Sequence, residues 1–541
     1  MFPTGSTDKL ERDLVTVTVE KYNPSTPSSS VEKFSHVEEL SQDDLAPQKI
    51  DNGEGQITFI YKQSQFPPDS ELARYAANND DKITYTQSEV KKLLRQYDKH
   101  ILTFVSFLYF LSHLDRGNIG NAKLAGMQKD LNFEGRQFEL IVIMFFVGYI
   151  CFQWGILLWK IVKPSHFVPW IILGWGIVST CCAAVQNWKQ LLVLRVILGI
   201  FEACFSPGIY YYFSFFYHRE EIAKRIGGFQ CFSPISSAIS GVIAYGITNH
   251  APKGIVPWRL LFIVEGAPTI LGGLIAFFAI INSPHSCWFL SEKQKLIAQA
   301  RTLGQSGSVN RGGHGLNKKE IIAALLDFKI WANTILFFCI TMCQVPLPIF
   351  LPSIIEGMGY QNIEAQGMTS PPYLVAVIAI LTVCYFSDRY LKRAFFLVAS
   401  LALAAVGYIL LAVSPVTGGR YFGLYLAVPG VYAALAMIMA WTGDNQGSDS
   451  KRGVGYVILH VFGMTGPIVG TFLFPDSERP HYRKGIWVTF GIVIFTIVFG
   501  AVYGLYLFRE NKKLDKKHGP ADPKKIRTCS DDTQKDFRYV I

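Results

Sequence analysis

The sequence has no apolar leader, no nucleotide-binding loop and no metal-ligand pattern, and each absence removes a class of function. Residues 1–97 contain no hydrophobic h-region, so a cleavable signal peptide is not expected and the first apolar run must serve as the insertion signal. No GxxxxGKS or GxxxxGKT occurs, which argues against a pump that hydrolyses nucleotide in the same chain. GFQCFS from Gly228 lacks the GxSxG of a nucleophile elbow, and the eleven histidines are scattered without metal spacing. Of the ten cysteines, Cys151, Cys181, Cys182, Cys204, Cys231, Cys339, Cys343 and Cys384 fall within or beside apolar segments, where they read as small buried residues. An enzyme is not expected, and neither is a metal or an organic cofactor.

What is present is apolar. Half of the 541 residues are hydrophobic, mean hydropathy is positive, and apolar runs of about twenty residues recur, which places the chain in the polytopic membrane class. Residues 1–85 are rich in Ser, Pro, Asp, Glu and Lys, with runs such as NPSTPSSS, and are expected to form a disordered cytosolic tail. Structure is expected to begin at Thr86, where TQSE has capping-box spacing ahead of an amphipathic EVKKLLRQYDKH. Six apolar runs fill 86–282, a polar linker covers 283–330, six more runs fill 331–508, and a charged cytosolic tail occupies 509–541.

The formal charge of +10 does not mark a nucleic-acid partner, because the basic residues sit in short loops between apolar runs and in the polar ends. With the N-terminus inside, the inner loops hold Lys160 and Lys163, Arg219, Lys224 and Arg225, Lys318 and Lys319, Arg389, Lys392 and Arg393, and Lys451 and Arg452. The outer loops hold fewer, although Arg479, Arg483 and Lys484 reduce the contrast. Both termini are therefore expected in the cytosol. AKRIGGF from Ala223 and SKRGVGY from Ser450 stand at matching places before the fifth and eleventh runs, as duplicated halves would have them.

The charges inside the apolar runs carry the functional reading. Residues 192–217 hold Arg195 and Glu202 seven positions apart, so the two share a helix face, roughly 10 Å apart at about 1.5 Å per residue. Each costs at least about 2.5 kcal/mol near the middle of a lipid-exposed helix, and such residues usually line a pathway. Burial opposes the charge of Glu202 while Arg195 or another cation supports it, which makes Glu202 a candidate proton-coupling group. Ser206, Pro207 and Gly208 follow at once and are expected to interrupt the helix. In the first run Asp115 and Arg116 point about 100° apart, and two readings stand: an interfacial pair whose arginine snorkels, or Arg116 anchoring an anion while Asp115 holds it or exchanges a proton. Glu265 is either a second ionisable cavity residue, available for proton coupling, or a structural partner of Arg259. Asp388, Arg389 and Arg393 in SDRYLKR lie at an inner helix end, where an ion pair can lock one face shut, and Asp444 and Asn445 fall at another inner end, in a gate or loop.

Several ordered segments together resemble the major facilitator superfamily, and within it the fungal anion:cation symporters related to allantoate permease and the nicotinate transporters. They are HLDRGNIGNAKLAGM from His113, LRVILGIFEACFSPG from Leu194, FYHREEIAKRIGGF from Phe216, PWRLLFIVEGAPT from Pro257, YFSDRYLKR from Tyr385 and DNQGSDSKRG from Asp444. The resemblance implies an all-α membrane protein with twelve transmembrane helices in two six-helix bundles, which rock around a central cavity. Arg116 with Asn118 and Ala122, and Arg195 with Gly199 and Glu202, also resemble the arginine motifs of animal organic-anion carriers; by that resemblance Arg116, Arg195 and Asn118 contact the anion and Glu202 couples protons. LWKIVKPSH departs from the family in lacking an acidic D-R element after the second run, so the inner gate of the first half must rest on other pairs.

The expected function is a proton-coupled importer of a small organic anion, working as a monomer in the plasma membrane with the proton gradient in place of a cofactor. Nicotinate or a similar carboxylate, allantoate or a ureido acid, and a sulfonate all fit two arginines. A nutrient sensor that keeps the fold without moving solute is the alternative of another class.

Overall fold

The computed structural model describes residues 82–519 except 214, 218, 251–253, 307–321, 323, 361, 446–448, 476–477 and 479–481, together with 48–51, 57–62 and 537–541. Two compact units divide the chain, one built from residues up to Gln96 with Pro284–Gly313, the other from Tyr97–Ser283 with His314–Ile541.

The larger unit is helical, with no strand among its described residues. Its first six spans are Thr103–Ala122, Gln137–Cys151, Pro164–Cys181, Trp188–Ala203 continued by Ser206–Phe213, Arg219–Gln230 continued by Phe232–His250, and Pro257–Ala279. The second six are Phe328–Gln344 continued by Leu347–Glu356, Asn362–Met368 continued by Ser370–Tyr390, Arg393–Val413, Thr417–Asp444, Asp449–Gly463 continued by Gly466–Phe472, and Arg483–His518. Among the described residues, ten helices are long and apolar enough to cross a membrane. The two others in the series are the first span, diluted by Ser, His, Asp, Arg and Asn, and the second, whose main helix has only 15 residues. Large apolar side chains on the outside, such as Phe278 and Phe395, are exposed to a degree that water would penalise and lipid does not.

Breaks in the spans follow from local chemistry. Pro207 ends the ladder of the fourth span, and the freed carbonyl of Cys204 accepts a hydrogen bond from Trp159 Nε1 at 2.7 Å. Pro346 has no N–H to give and separates the two pieces of the seventh span. Close approach is set by two glycines: a side chain at Gly199 would collide with the Phe145 carbonyl of the second span, and one at Gly120 with the Ile349 carbonyl of the seventh.

The smaller unit corrects the expectation of a disordered tail over 1–85, as far as its described residues go. Strands β1 (Gln48–Asp51), β2 (Ile57–Lys62) and β3 (Lys82–Thr86) form an antiparallel sheet in that order, with Phe59 opposite Lys49 and Tyr85. Overall polarity hid the short runs ITFIYK and KITYT, whose β-branched and aromatic residues suit a sheet. Residues 1–47, 52–56 and 63–81 of that tail, and Lys318 and Lys319 of the linker, lie outside the described residues. The capping box at Thr86 is as the spacing predicts: Glu89 N–H donates to Thr86 Oγ1 at 3.3 Å and Thr86 N–H to Glu89 Oε2 at 2.9 Å. Burial opposes charge on Glu89, but Lys293, 2.6 Å away, and the Thr86 bonds outweigh it and hold the carboxyl below its usual range. That contribution is present at neutral pH and is lost as acid protonates the carboxylate.

Gly199→Val should separate the second and fourth spans and destabilise the purified protein by about 1–3 kcal/mol, as overpacking does. Gly228→Ala, where a Cβ meets nothing within 4 Å, is the control and should melt as the unaltered chain does. Equal melting of the two variants would remove the close-packing argument.

Candidate functional site

The first span brings its polar residues to three neighbours. Ser112 and Arg116, four residues apart, share a face turned to the fourth span, where Ser112 Oγ and Arg116 Nε both donate to Glu202 Oε2, at 3.1 and 2.5 Å. The cation that meets Glu202 is thus Arg116 and not Arg195. Tyr149 and Phe145 of the second span set their rings 5.0 and 5.6 Å from the guanidinium, a position that the close approach at Gly199 allows. Arg116 Nη2 and Glu202 Oε1 are buried and meet no protein partner.

Asp115 turns the other way and does not hold Arg116. Its carboxylate accepts from Ser179 Oγ of the third span at 2.6 Å and Thr269 Oγ1 of the sixth at 3.3 Å, while its carbonyl accepts from Arg195 Nη1 at 3.4 Å. Arg195 packs 5.5 Å from the Phe262 ring, is 2 % exposed, and keeps Nε and Nη2 without protein partners. Glu265 accepts from Ser240 Oγ at 3.2 Å and leaves Oε2 unpaired. It is not the partner of Arg259, which bonds Asp130 at 3.2 Å and the Ala183 carbonyl at 2.7 Å. Asn118 is fully buried with both amide atoms unpaired, and it is not among the cavity-lining residues.

One cavity collects the arginines. His113 and Arg116 from the first span, Phe145 from the second, Arg195 from the fourth, and Gln344 and Ile349 from the seventh line it. No carboxylate is among its lining residues, so the cavity offers guanidinium donors, ring faces and one amide, a set suited to an anion with an apolar body. The sequence reading missed Tyr149, His113 and Gln344. A glutamine inside the apolar CITMCQVP was the available signal for the last; the ring positions depend on packing and left none.

A second charge cluster lies where the eighth, ninth and tenth spans end or begin. Arg393, 3 % exposed on its side chain, bonds Asp388 at 2.6 Å, Asp444 at 2.9 Å and Ser387 Oγ at 3.0 Å. Asp444 belongs to this pair, whereas Arg389 is exposed and takes no part in it. In the first half a charge pair joins the entries to the first and fifth spans, Arg225 with Asp98, at 2.6 and 2.9 Å under the Tyr217 ring.

A family model described as Major Facilitator Superfamily matches residues 105–471. The chain belongs to the major facilitator superfamily. Among its relatives, the high-affinity nicotinic acid transporter of Saccharomyces cerevisiae is 30 % identical over 489 residues, 88 % of this chain and 90 % of the relative. The major facilitator-type transporter hxnP of Emericella nidulans is 29 % identical over 80 % of this chain and 89 % of its own length. Among solved structures, the proton:xylose symporter XylE bound to 6-bromo-6-deoxy-D-glucose superposes with a TM-score of 0.60 at 12 % identity, over 76 % of this chain and 96 % of that one. An inward-facing, unoccupied bacterial homolog of the lysosomal transporter Spinster gives 0.56 at 16 %, with the same coverage. These two show the fold. This superfamily member is accordingly a multi-pass membrane protein with twelve helices in two bundles, and a transporter.

Arg393→Ala should leave Asp388 and Asp444 close together without their cation and lower stability by about 3 kcal/mol. Adding Asp388→Asn and Asp444→Asn should recover much of the loss. Thermal melting of the purified variants measures both, and no recovery in the triple variant would exclude carboxylate repulsion as the cause.

Proposed function

We propose that this transporter is a proton-coupled importer of a small organic anion, with a monocarboxylate on an aromatic or heterocyclic body as the leading class. The observation that carries the reading is the placement of Arg116 and Arg195 on one carboxylate-free cavity, each with a buried N–H group that meets no protein partner. The name of the yeast relative, a nicotinic acid transporter, supports the substrate class.

Arg116 is shared. Its Nε holds Glu202, so an anion arriving in the cavity competes with that carboxylate for the guanidinium. Protonating Glu202 removes its claim on Arg116, and the imported proton offsets the charge of the anion. Arg195, fixed by the Asp115 carbonyl, supplies further donors, and Asp115 and Glu265 hold the surrounding polar groups without entering the cavity wall. A sulfonate would use the same donors. The basic residues before the fifth, ninth and eleventh spans favour both termini inside and an orientation suited to uptake at the plasma membrane.

Cells expressing the protein should take up labelled nicotinate faster at acidic outside pH, and a protonophore should abolish accumulation. Arg116→Ala and Arg195→Ala should each reduce uptake at least about thirtyfold with normal surface protein, as loss of one partner of a buried charge pair does. Glu202→Gln should retain exchange of labelled for unlabelled anion but lose proton-driven accumulation. Uptake indifferent to pH and protonophore would rule out the coupling, and competition by sulfonates but not carboxylates would change the substrate class.

A further inference from the structure

The last five residues, 537–541, are seated against the ends of the tenth and twelfth spans. Tyr539 donates its N–H to Asn511 Oδ1 at 2.9 Å, and its carbonyl accepts from Asn511 Nδ2 at 2.8 Å. Val540 makes the same reciprocal pair with Asn445, at 2.7 and 2.9 Å, and its carbonyl also accepts from Trp441 Nε1 at 2.8 Å. In an extended strand the N–H and C=O of one residue face one edge and those of the next face the other. Each asparagine amide therefore stands in for a neighbouring strand, one on each edge of the peptide. Just before them Arg538, 6 % exposed, bonds Asp515 at 2.7 Å and the Gly519 carbonyl at 2.7 Å, and Phe537 is buried. A groove that pairs both backbone edges and encloses an arginine is a peptide-binding site whose occupant is the chain's own C-terminus.

The position of this site gives it a consequence for the gate. Asn445 directly follows Asp444, which is bonded to Arg393, and the start of the fifth span, Arg219–Gln230, packs against the eighth and tenth spans at this end. Cys384, four residues before Asp388, has its sulfur toward Gly227 of the fifth span. We infer that residues 537–541 are a latch: docked, they fix the end of the tenth span through Trp441 and Asn445, and with it the surface against which the start of the fifth span packs. The latch acts on the gate whatever solute is carried.

Hydrogen exchange of the full chain in lipid nanodiscs tests the docking without any variant. The C-terminal fragment covering Tyr539 and Val540 should exchange at least about tenfold more slowly than an unstructured chain, and the double variant Asn445→Ala, Asn511→Ala should bring it back to that rate. Free exchange in the intact protein would overturn the docking. The gate arm measures labelling of Cys384 by a membrane-impermeant maleimide, resolved by peptide mass spectrometry. Deleting 537–541, or the double asparagine variant, should raise its rate about threefold or more in monodisperse protein. Unchanged labelling in both, with exchange protection intact in the full chain, would overturn the latch while leaving the docked peptide in place.

Discussion

The ion pair of Arg116 with Glu202 is the constraint to which the packing of the first, second and fourth spans is fitted. Placing two charges among apolar helices is expensive, and a buried pair recovers that cost only with good geometry and further hydrogen bonds. Here the geometry is supplied from three sides. Ser112 adds a second donor to the same carboxylate oxygen, Tyr149 and Phe145 face the guanidinium, and Gly199 removes the side chain that would hold the second span away. Apolar residues in place of a buried ion pair often pack at least as stably. Stability alone therefore does not call for the arrangement, which leaves Arg116 Nη2 and Glu202 Oε1 without protein partners.

The same logic divides the two adjacent charges of the first span. Asp115 and Arg116 differ by about 100° on a helix, and the structure uses that angle to send one carboxylate toward the third and sixth spans and one guanidinium toward the second and fourth. Asp115 accepts from two hydroxyls through its carboxylate and from Arg195 through its carbonyl, so it positions Arg195 by backbone and not by charge pairing. That leaves Arg195 with its charge largely uncompensated by a bonded carboxylate.

The series of spans was legible because apolar length is a strong local signal, and the break at Pro207 because proline has no N–H to donate. The capping box at Thr86 was legible for the same reason: its two partners are three residues apart. Pairings across helices were not. Arg195 and Glu202 share a face, but two turns of separation exceed the reach of a hydrogen bond, and nothing along one helix shows that Ser112 and Arg116 of another will supply the donors. Glu265 and Arg259 likewise found partners in Ser240 and Asp130, on other elements. The small sheet was missed through averaging, since ITFIYK and KITYT are short islands in a polar segment whose overall composition reads as unfolded. Asp444 stood beside a gate in the sequence reading, yet only the fold brings it to Arg393.

The two halves carry their charges at different depths, and this asymmetry follows from what each must satisfy. In the first half the arginines are inside the spans and line the cavity; the seventh span contributes Gln344 and apolar groups to the opposing wall. A neutral wall facing a cationic one can move away without breaking an ion pair, since no charge crosses the cavity. The charged pairs described near the helix ends, Arg225 with Asp98 and Arg393 with Asp388 and Asp444, each lie within one half. What must be exchanged on moving is then apolar contact and a few neutral hydrogen bonds such as Gln366 to the Asn121 carbonyl at 3.2 Å and Ser370 to the Ala238 carbonyl at 2.6 Å. Each such bond is worth about 0.5–1.5 kcal/mol. Among the described residues, the bonds named between the halves are neutral and the ion pairs named lie inside each, which favours rigid-body rocking over deformation of either bundle.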